Sequence, residues 1–135
     1  MAPRMGAIGR YTEWSKKAEE QGDADAQLSL GYMYYSGQGI LQNYTEAFKW
    51  YRRAADQGLA SAQFNLGVMY MKGQGVTQDF IQAHMWLNLS SASSVGDEQE
   101  KAATARDNLA AIMTIQKIGE AQRLARKWLE KRNKQ

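Results

Sequence analysis

The sequence predicts an all-α protein, a short right-handed αα-superhelix of about seven antiparallel helices. The first observation is a fixed period, because Trp14, Trp50 and Trp86 lie 36 residues apart. The second is a Gly-Gln-Gly turn that recurs at the same interval, at residues 37–39 and 73–75. Self-similarity at a period of roughly 20–50 residues indicates a stacked helical repeat. We therefore expect a solenoid in which each unit contacts its neighbours.

The array is expected to begin half-way through a unit. In this half-unit, residues 9–22, we expect one helix from Gly9 to Gln21, with Tyr11, Trp14 and Ala18 on its apolar stripe and Gly22 as its stop. By its place in the period, this helix corresponds to the second helix of a pair. The half-unit is therefore either a cap or part of a fragment, and an exposed apolar face there would favour self-association.

Two complete units follow at 23–58 and 59–94. Each contains a first helix, a glycine turn and a second helix. Asn43 and Asp79 are placed to cap the second helices through their side chains. Glu46, three residues after Asn43, completes the pattern of a capping box, in which the two side chains satisfy backbone N–H groups reciprocally.

Glycines in the middle of the first helices predict close packing. Gly31 and Gly67 each cost about 1 kcal/mol relative to alanine in a helix interior. Because glycine has no Cβ, we expect a neighbouring aromatic ring to approach the backbone there. Trp50 and Trp86 fall on the buried stripe of the second helices, which indicates packing residues and not functional ones.

We expect residues 97–132 to form an atypical pair of helices that caps the array. Gly96-Asp97 lies 74 residues after Gly22-Asp23, and Trp128 lies 42 after Trp86, so the register is expected to slip here. From Ile115 to the C-terminus there are seven Lys or Arg and two acidic residues. Such a basic helix can contact nucleic acid or a membrane surface, but we interpret it as a solvated outer face and expect no nucleic-acid partner.

The repeated residues resemble a known family. Ala26 to Trp50 and Ala62 to Trp86 share the pattern A-x-x-x-LG-x-x-Y-x-x-G-x-G-(I/V)-x-Q-(N/D)-(Y/F)-x-x-A-x-x-W. This pattern resembles the Sel1-like repeat, a relative of the tetratricopeptide repeat. The C-terminal stretch 97–128 is similar to the closing segment of bacterial Sel1-like proteins. Ile115 and Lys117 depart from that segment, and we expect them to weaken the cap at its last helix.

The residues offer little for catalysis. There is no cysteine, which excludes a thiol nucleophile and a cysteine-ligated zinc. The Gly-Gln-Gly turns each follow a helix and lack the third glycine of a dinucleotide fingerprint. His84 is the single histidine, and we interpret it as a partly buried structural residue, without a serine and an acid in a triad. We expect no enzyme activity, cofactor or metal.

The resemblance implies that the first helix of each pair lines an inner surface that binds a peptide or protein. Asn65 would hydrogen-bond a ligand backbone, while Lys72 and Arg106 would pair with a carboxylate. The candidate binding residues are the non-core side chains of the first helices: Asp25, Ser29, Tyr32, Ser36, Ser61, Asn65, Val68, Lys72, Arg106 and Asn108.

Two other functions remain open. The chain could be a self-associating structural subunit or a fragment of a longer repeat protein, with homo-oligomers formed through the half-unit. A β-lactam-binding or hydrolysing enzyme, suggested by cysteine-rich relatives, is disfavoured by the lack of cysteine. Met1–Arg10 has no apolar core of a secretory signal, and no run is long enough to span a membrane. We expect a cytoplasmic protein, or a periplasmic or secreted one if a leader was removed.

Overall fold

The computed structural model describes residues 7–134, with side chains from Gly9 onward. Most of the stretch in which we expect no secretory signal, Met1–Arg10, lies outside the described residues. Over the described range the chain is helical without strands, as predicted. Its seven helices are α1 Ala7–Glu20, α2 Ala24–Ser36, α3 Tyr44–Asp56, α4 Ala60–Lys72, α5 Phe80–Ser93, α6 Gly96–Ala110 and α7 Ile115–Asn133.

The first helices keep one register throughout. Helices α2, α4 and α6 begin at residues 24, 60 and 96, so the spacing of 36 continues into the last pair. The predicted slip at Gly96 is therefore wrong for α6. Gly96 resembles Gly22 in residue type, but Gly22 precedes a helix whereas Gly96 is the first residue of one.

The second helices are capped by the side chains that the sequence predicts. Asn43 Oδ1 accepts the backbone N–H of Glu46 at 3.1 Å, and Asp79 Oδ1 accepts that of Gln82 at 3.1 Å. The prediction of the reciprocal hydrogen bond of the capping box, from the Asn43 N–H to the Glu46 side chain, is wrong. The N–H of Asn43 donates to the Tyr34 carbonyl at 2.9 Å, because the glycine turn folds the chain back against the end of α2.

Glycine allows two kinds of close contact. A Cβ on Gly31 would lie 2.5 Å from the ring carbons Cδ1 and Cε1 of Tyr51, so the prediction of an approaching aromatic ring is confirmed there. At Gly67 the neighbour is Leu87, which occupies the place of Tyr51 one period later. In the second turn Gly75 has a φ of +70°, and a Cβ there would overlap the Tyr44 carbonyl.

Two apolar cores run along the stack. A smaller core joins α1, α2 and α3 around Trp50, which is 3% exposed. A larger core joins the later helices around Trp86, which is fully buried. Both tryptophans are thus packing residues, as predicted. Tyr11 and Trp14 of α1 are half-buried against the smaller core.

Buried amides bind each unit to the one before it. Gln63 is fully buried, and its Nε2 donates to the Ala55 carbonyl at 3.3 Å, near the end of the preceding second helix. Within its own unit, Gln63 Oε1 accepts a hydrogen bond from the hydroxyl of Ser93 at 3.1 Å. One period earlier, Gln27 Nε2 donates to the Ala18 carbonyl at 3.4 Å. These bonds satisfy buried polar groups at the interface between units.

The last helix packs on α5, as α6 does. Trp128 lies edge-on to Trp86, with ring centroids 6.0 Å apart. The cap of α7 forms in spite of Ile115 and Lys117, because Thr114 Oγ1 accepts the Lys117 N–H at 3.2 Å.

The C-terminal end of α7 reaches back to α3. Arg132 donates to the carbonyls of Asp56, at 3.0 Å, and Gln57, and its guanidinium stacks on Trp128. A cation at the carbonyl end of a helix interacts favourably with the helix dipole. The remaining basic side chains of α7 are exposed, which fits the interpretation of a solvated outer face.

Candidate functional site

One groove runs along the first helices as a row of adjoining cavities. The cavity nearest α1 and the next one share Tyr32 and Asn65. Phe64 lines the second cavity and both cavities toward α6. We call this row the first-helix groove. Its main lining residues are Trp14, Leu28, Ser29, Tyr32, Ser61, Phe64, Asn65, Val68, Lys101 and Asn108.

Six of the ten predicted binding residues line this groove. They come from α2, α4 and α6, so consecutive units contribute to one surface. These residues are Ser29, Tyr32, Ser61, Asn65, Val68 and Asn108.

The other four predicted residues lie elsewhere. Asp25, Ser36 and Lys72 are exposed near the ends of α2 and α4, outside the cavity linings. Arg106 is half-buried toward α5, where its Nη1 donates to Asn88 Oδ1 at 2.9 Å. Its Nε also donates to the neighbouring Asp107 carboxylate at 3.0 Å, so the predicted carboxylate partner is one of the chain's own residues.

Asn65 lies beside a buried tyrosine at the wall of the groove. Tyr51 is 2% exposed, and it lines the same cavity as Asn65. Burial raises the pKa of Tyr51 well above its usual value of 10, nearby Tyr35 and Tyr32 raise it by less, and Asn65 lowers it in part. The Tyr51 hydroxyl therefore stays protonated at neutral pH.

The aromatic residues of α2 separate into two roles. Tyr32 is 51% exposed on the groove. Tyr35 joins adjacent units, because its hydroxyl donates to Gln74 Oε1 at 2.9 Å and its ring packs on Tyr44. A groove surface and packing between units thus occur within one helix.

Phe64 and Lys101 are groove residues that sequence reasoning missed. Lys101 Nζ lies 4.6 Å from the centroid of the Phe64 ring. Two signals could have found them. Leu28 and Phe64 are large apolar residues one period apart, and Lys101 is one period after Asn65.

The histidine and the serines do not form a catalytic group. His84 is 3% exposed, so it is more deeply buried than expected, and its Nδ1 has no hydrogen-bond partner among residues 7–134. Ser90 donates its hydroxyl to the Ala60 carbonyl at 2.9 Å. The described residues contain no cluster of three His, Asp or Glu side chains that could hold a metal ion.

Acidification is expected to weaken the fold through His84. Its burial lowers its pKa below the usual 6.5, Arg106 lowers it further, and Asp107 raises it in part. The unfolded chain therefore binds the proton first. The contribution of His84 to the free energy of unfolding should be complete above pH 6.5. It should fall by at most about 1.4 kcal/mol per pH unit as the pH drops toward the folded-state pKa of His84. Denaturant titrations between about pH 5 and 7 measure this slope.

The matched variant for this prediction is His84→Phe, because Phe48 occupies the same position one period earlier. The variant should lose the pH dependence that His84 contributes above about pH 5, where carboxylates contribute little. Equal slopes in both proteins would show that His84 does not contribute.

Stacked helix pairs with a period of 36 and a groove along the first helices define an αα-superhelical repeat protein. The model of the Sel1 repeat matches residues 24–59 and 60–94, more than half of the chain. The chain belongs to the Sel1 repeat family, whose members are commonly non-enzymatic scaffolds that bind proteins. No curated protein matches the chain significantly.

Two solved bacterial structures are similar to the chain. One is c5321, a protective antigen present in uropathogenic Escherichia coli strains displaying an SLR fold. It is 27% identical to this chain with a TM-score of 0.79, and the match covers 92% of this chain and 30% of the c5321 chain. The other is a Sel1 repeat protein from Oxalobacter formigenes, 36% identical with a TM-score of 0.64, over 74% of this chain and 39% of its own. The chain spans well under half of either relative.

Within residues 7–134, the helices lack the combination of length and apolar character that crossing a membrane requires.

Proposed function

We propose that this chain is a non-enzymatic binding module that holds an extended peptide segment of a partner protein in the first-helix groove. The observation that carries the proposal is the continuity of the groove. Phe64 lies at its centre, and cavities on either side reach α2 and α6. A peptide running across the helices would therefore contact several units at once.

The chemistry of the lining supports a peptide ligand. Exposed Tyr32 and half-buried Phe64 offer aromatic surface, the kind that dominates binding energy at protein interfaces. Asn65 lines the groove and can hydrogen-bond a peptide backbone through both functions of its amide. Ser61 adds a hydroxyl beside it. Apolar anchors with a few polar groups are typical of peptide-binding grooves.

Groove variants test this proposal. Peptides selected from a random linear library on the wild-type protein should lose affinity at least tenfold for Tyr32→Ala and for Phe64→Leu, because these changes remove aromatic anchors worth about 1.4 kcal/mol or more. Fluorescence anisotropy with labelled peptides measures the dissociation constants.

The control is Ile115→Ala, because Ile115 is 84% exposed at the start of α7 and lies outside the groove. Its affinity should match that of the wild type. Selected peptides that bind all four proteins equally would place the ligand elsewhere and refute the groove assignment.

A further inference from the structure

The cavity in the middle of the groove is enclosed mainly by aromatic rings. Its lining consists of Tyr32, Tyr35, Tyr51, Phe64, Asn65 and Val68. We call it the tyrosine cavity. Its volume is about 160 Å³, which is ample for the end of one side chain, since a single water needs only about 10–15 Å³.

The rings of this cavity are held in place by the fold. Tyr51 packs against the backbone of Gly31 and is only 2% exposed. The Tyr35 ring lies 6.4 Å from that of Tyr51, and its hydroxyl is bound to Gln74. Tyr32 alone is largely exposed. A ligand that enters the cavity thus meets a preorganised wall and orders few side chains, which lowers the cost of binding.

The electrostatics of the cavity favour a cation. Its six lining residues carry no formal charge, and the faces of aromatic rings attract cations within about 6 Å. The same chemistry recurs in this molecule, where lysine or arginine stacks on all four tryptophans and on Phe64.

The charged residues beyond the cavity differ between the two sides of the groove. On the α6 side of Phe64, the groove carries three acidic residues, Asp97, Glu98 and Glu100, against one lysine, Lys101. On the other side, Arg10 lines the cavity that adjoins Tyr32. The α6 side is therefore the more negative end, and a positively charged side chain would be drawn toward it.

We propose that the tyrosine cavity binds a lysine or arginine side chain of the peptide that occupies the first-helix groove. The aliphatic stem packs on Val68 and Phe64, and the charged end lies against the tyrosine rings. This inference rests on the proposed function, because the basic residue is part of that peptide. It adds a sequence requirement, a cation at one position, that a purely apolar groove would not impose.

The first test uses small probes and no peptide. NMR titrations compare N-acetyl-lysine methylamide with its norleucine counterpart, which keeps the apolar stem and lacks the ammonium. We expect the lysine probe to bind roughly three- to thirtyfold more tightly, in line with cation–π contacts. The shifted resonances should belong to Tyr35, Phe64 and Val68, and Tyr32→Ala should reduce the preference.

Two outcomes would overturn the inference. Equal or tighter binding of the norleucine probe would mean an apolar cavity. A lysine preference that Tyr32→Ala leaves intact but Asp97→Asn with Glu100→Gln abolishes would mean attraction by the surface acids alone. Tyr32 is exposed, so its replacement should leave the fold intact, and the Ile115→Ala protein is the control.

The second test uses the peptides selected on the wild-type protein. Most should contain a lysine or arginine whose replacement by norleucine weakens binding roughly three- to thirtyfold. If most groove-dependent peptides lacked a basic residue, the inference would be refuted and the proposed function would stand. Preferential binding of the lysine probe, without any groove-dependent peptide, would refute the proposed function instead.

Discussion

Replacing Trp86 by alanine should lower the free energy of unfolding by about 3–5 kcal/mol, the usual cost of removing a large buried aromatic side chain. Trp86 is fully buried in the larger core and contacts the Trp128 ring edge-on. The Arg52 guanidinium also lies over the Trp86 ring, 5.4 Å from its centroid. Because α7 packs on α5, the variant should also lose part of the helicity of α7. Denaturant unfolding followed by circular dichroism measures both effects.

Trp14→Ala is the matched control for that prediction. Trp14 occupies the same position two periods earlier, but it is half-buried in the smaller core. Its replacement should cost only about 1–2 kcal/mol. If the two variants lost equal stability, the central role assigned to Trp86 would be wrong.

Gly31→Ala should also destabilise the protein, although alanine is the better helix former. The added Cβ would lie 2.5 Å from the Tyr51 ring, and that ring is packed in the larger core. Overpacking of this kind typically costs about 1–3 kcal/mol, which exceeds the helix-propensity gain of about 0.5–1 kcal/mol. Thermal and denaturant unfolding provide the measurement.

Gly119→Ala isolates the propensity gain. Gly119 lies inside α7, and a Cβ there would have no neighbour within 4 Å. This variant should therefore be more stable than the wild type by about 0.5–1 kcal/mol. Stabilisation of both glycine variants would mean that Tyr51 moves away from α2 at little cost.

The sequence predicts the period, the helices and their caps because these depend on nearby residues. Asn43, Asp79 and the turn glycines need only the local backbone to act. The groove was predicted less completely, since it depends on how helices rotate against each other. The slip inferred at Gly96 obscured Lys101, which an unbroken count of 36 from Asn65 reaches.

The wrong assignment of Arg106 to the groove follows from the same error in register. A two-residue change of register turns a side chain by about 200° around a helix. Arg106, which lies 38 residues after Val68, therefore faces α5 and Asn88 rather than the groove. Phe64 was missed because a half-buried residue satisfies neither a core pattern nor a surface pattern.

The reach of Arg132 bears on how the molecule unfolds. In a linear array each unit contacts only its neighbours, so the ends can open independently of the middle. Arg132 instead bonds carbonyls of Asp56 and Gln57, about 75 residues earlier in the chain. Opening α7 thus removes the cap from α3 as well as the cover from α5. This long-range contact therefore couples the opening of the last helix to the end of α3 in the first complete repeat.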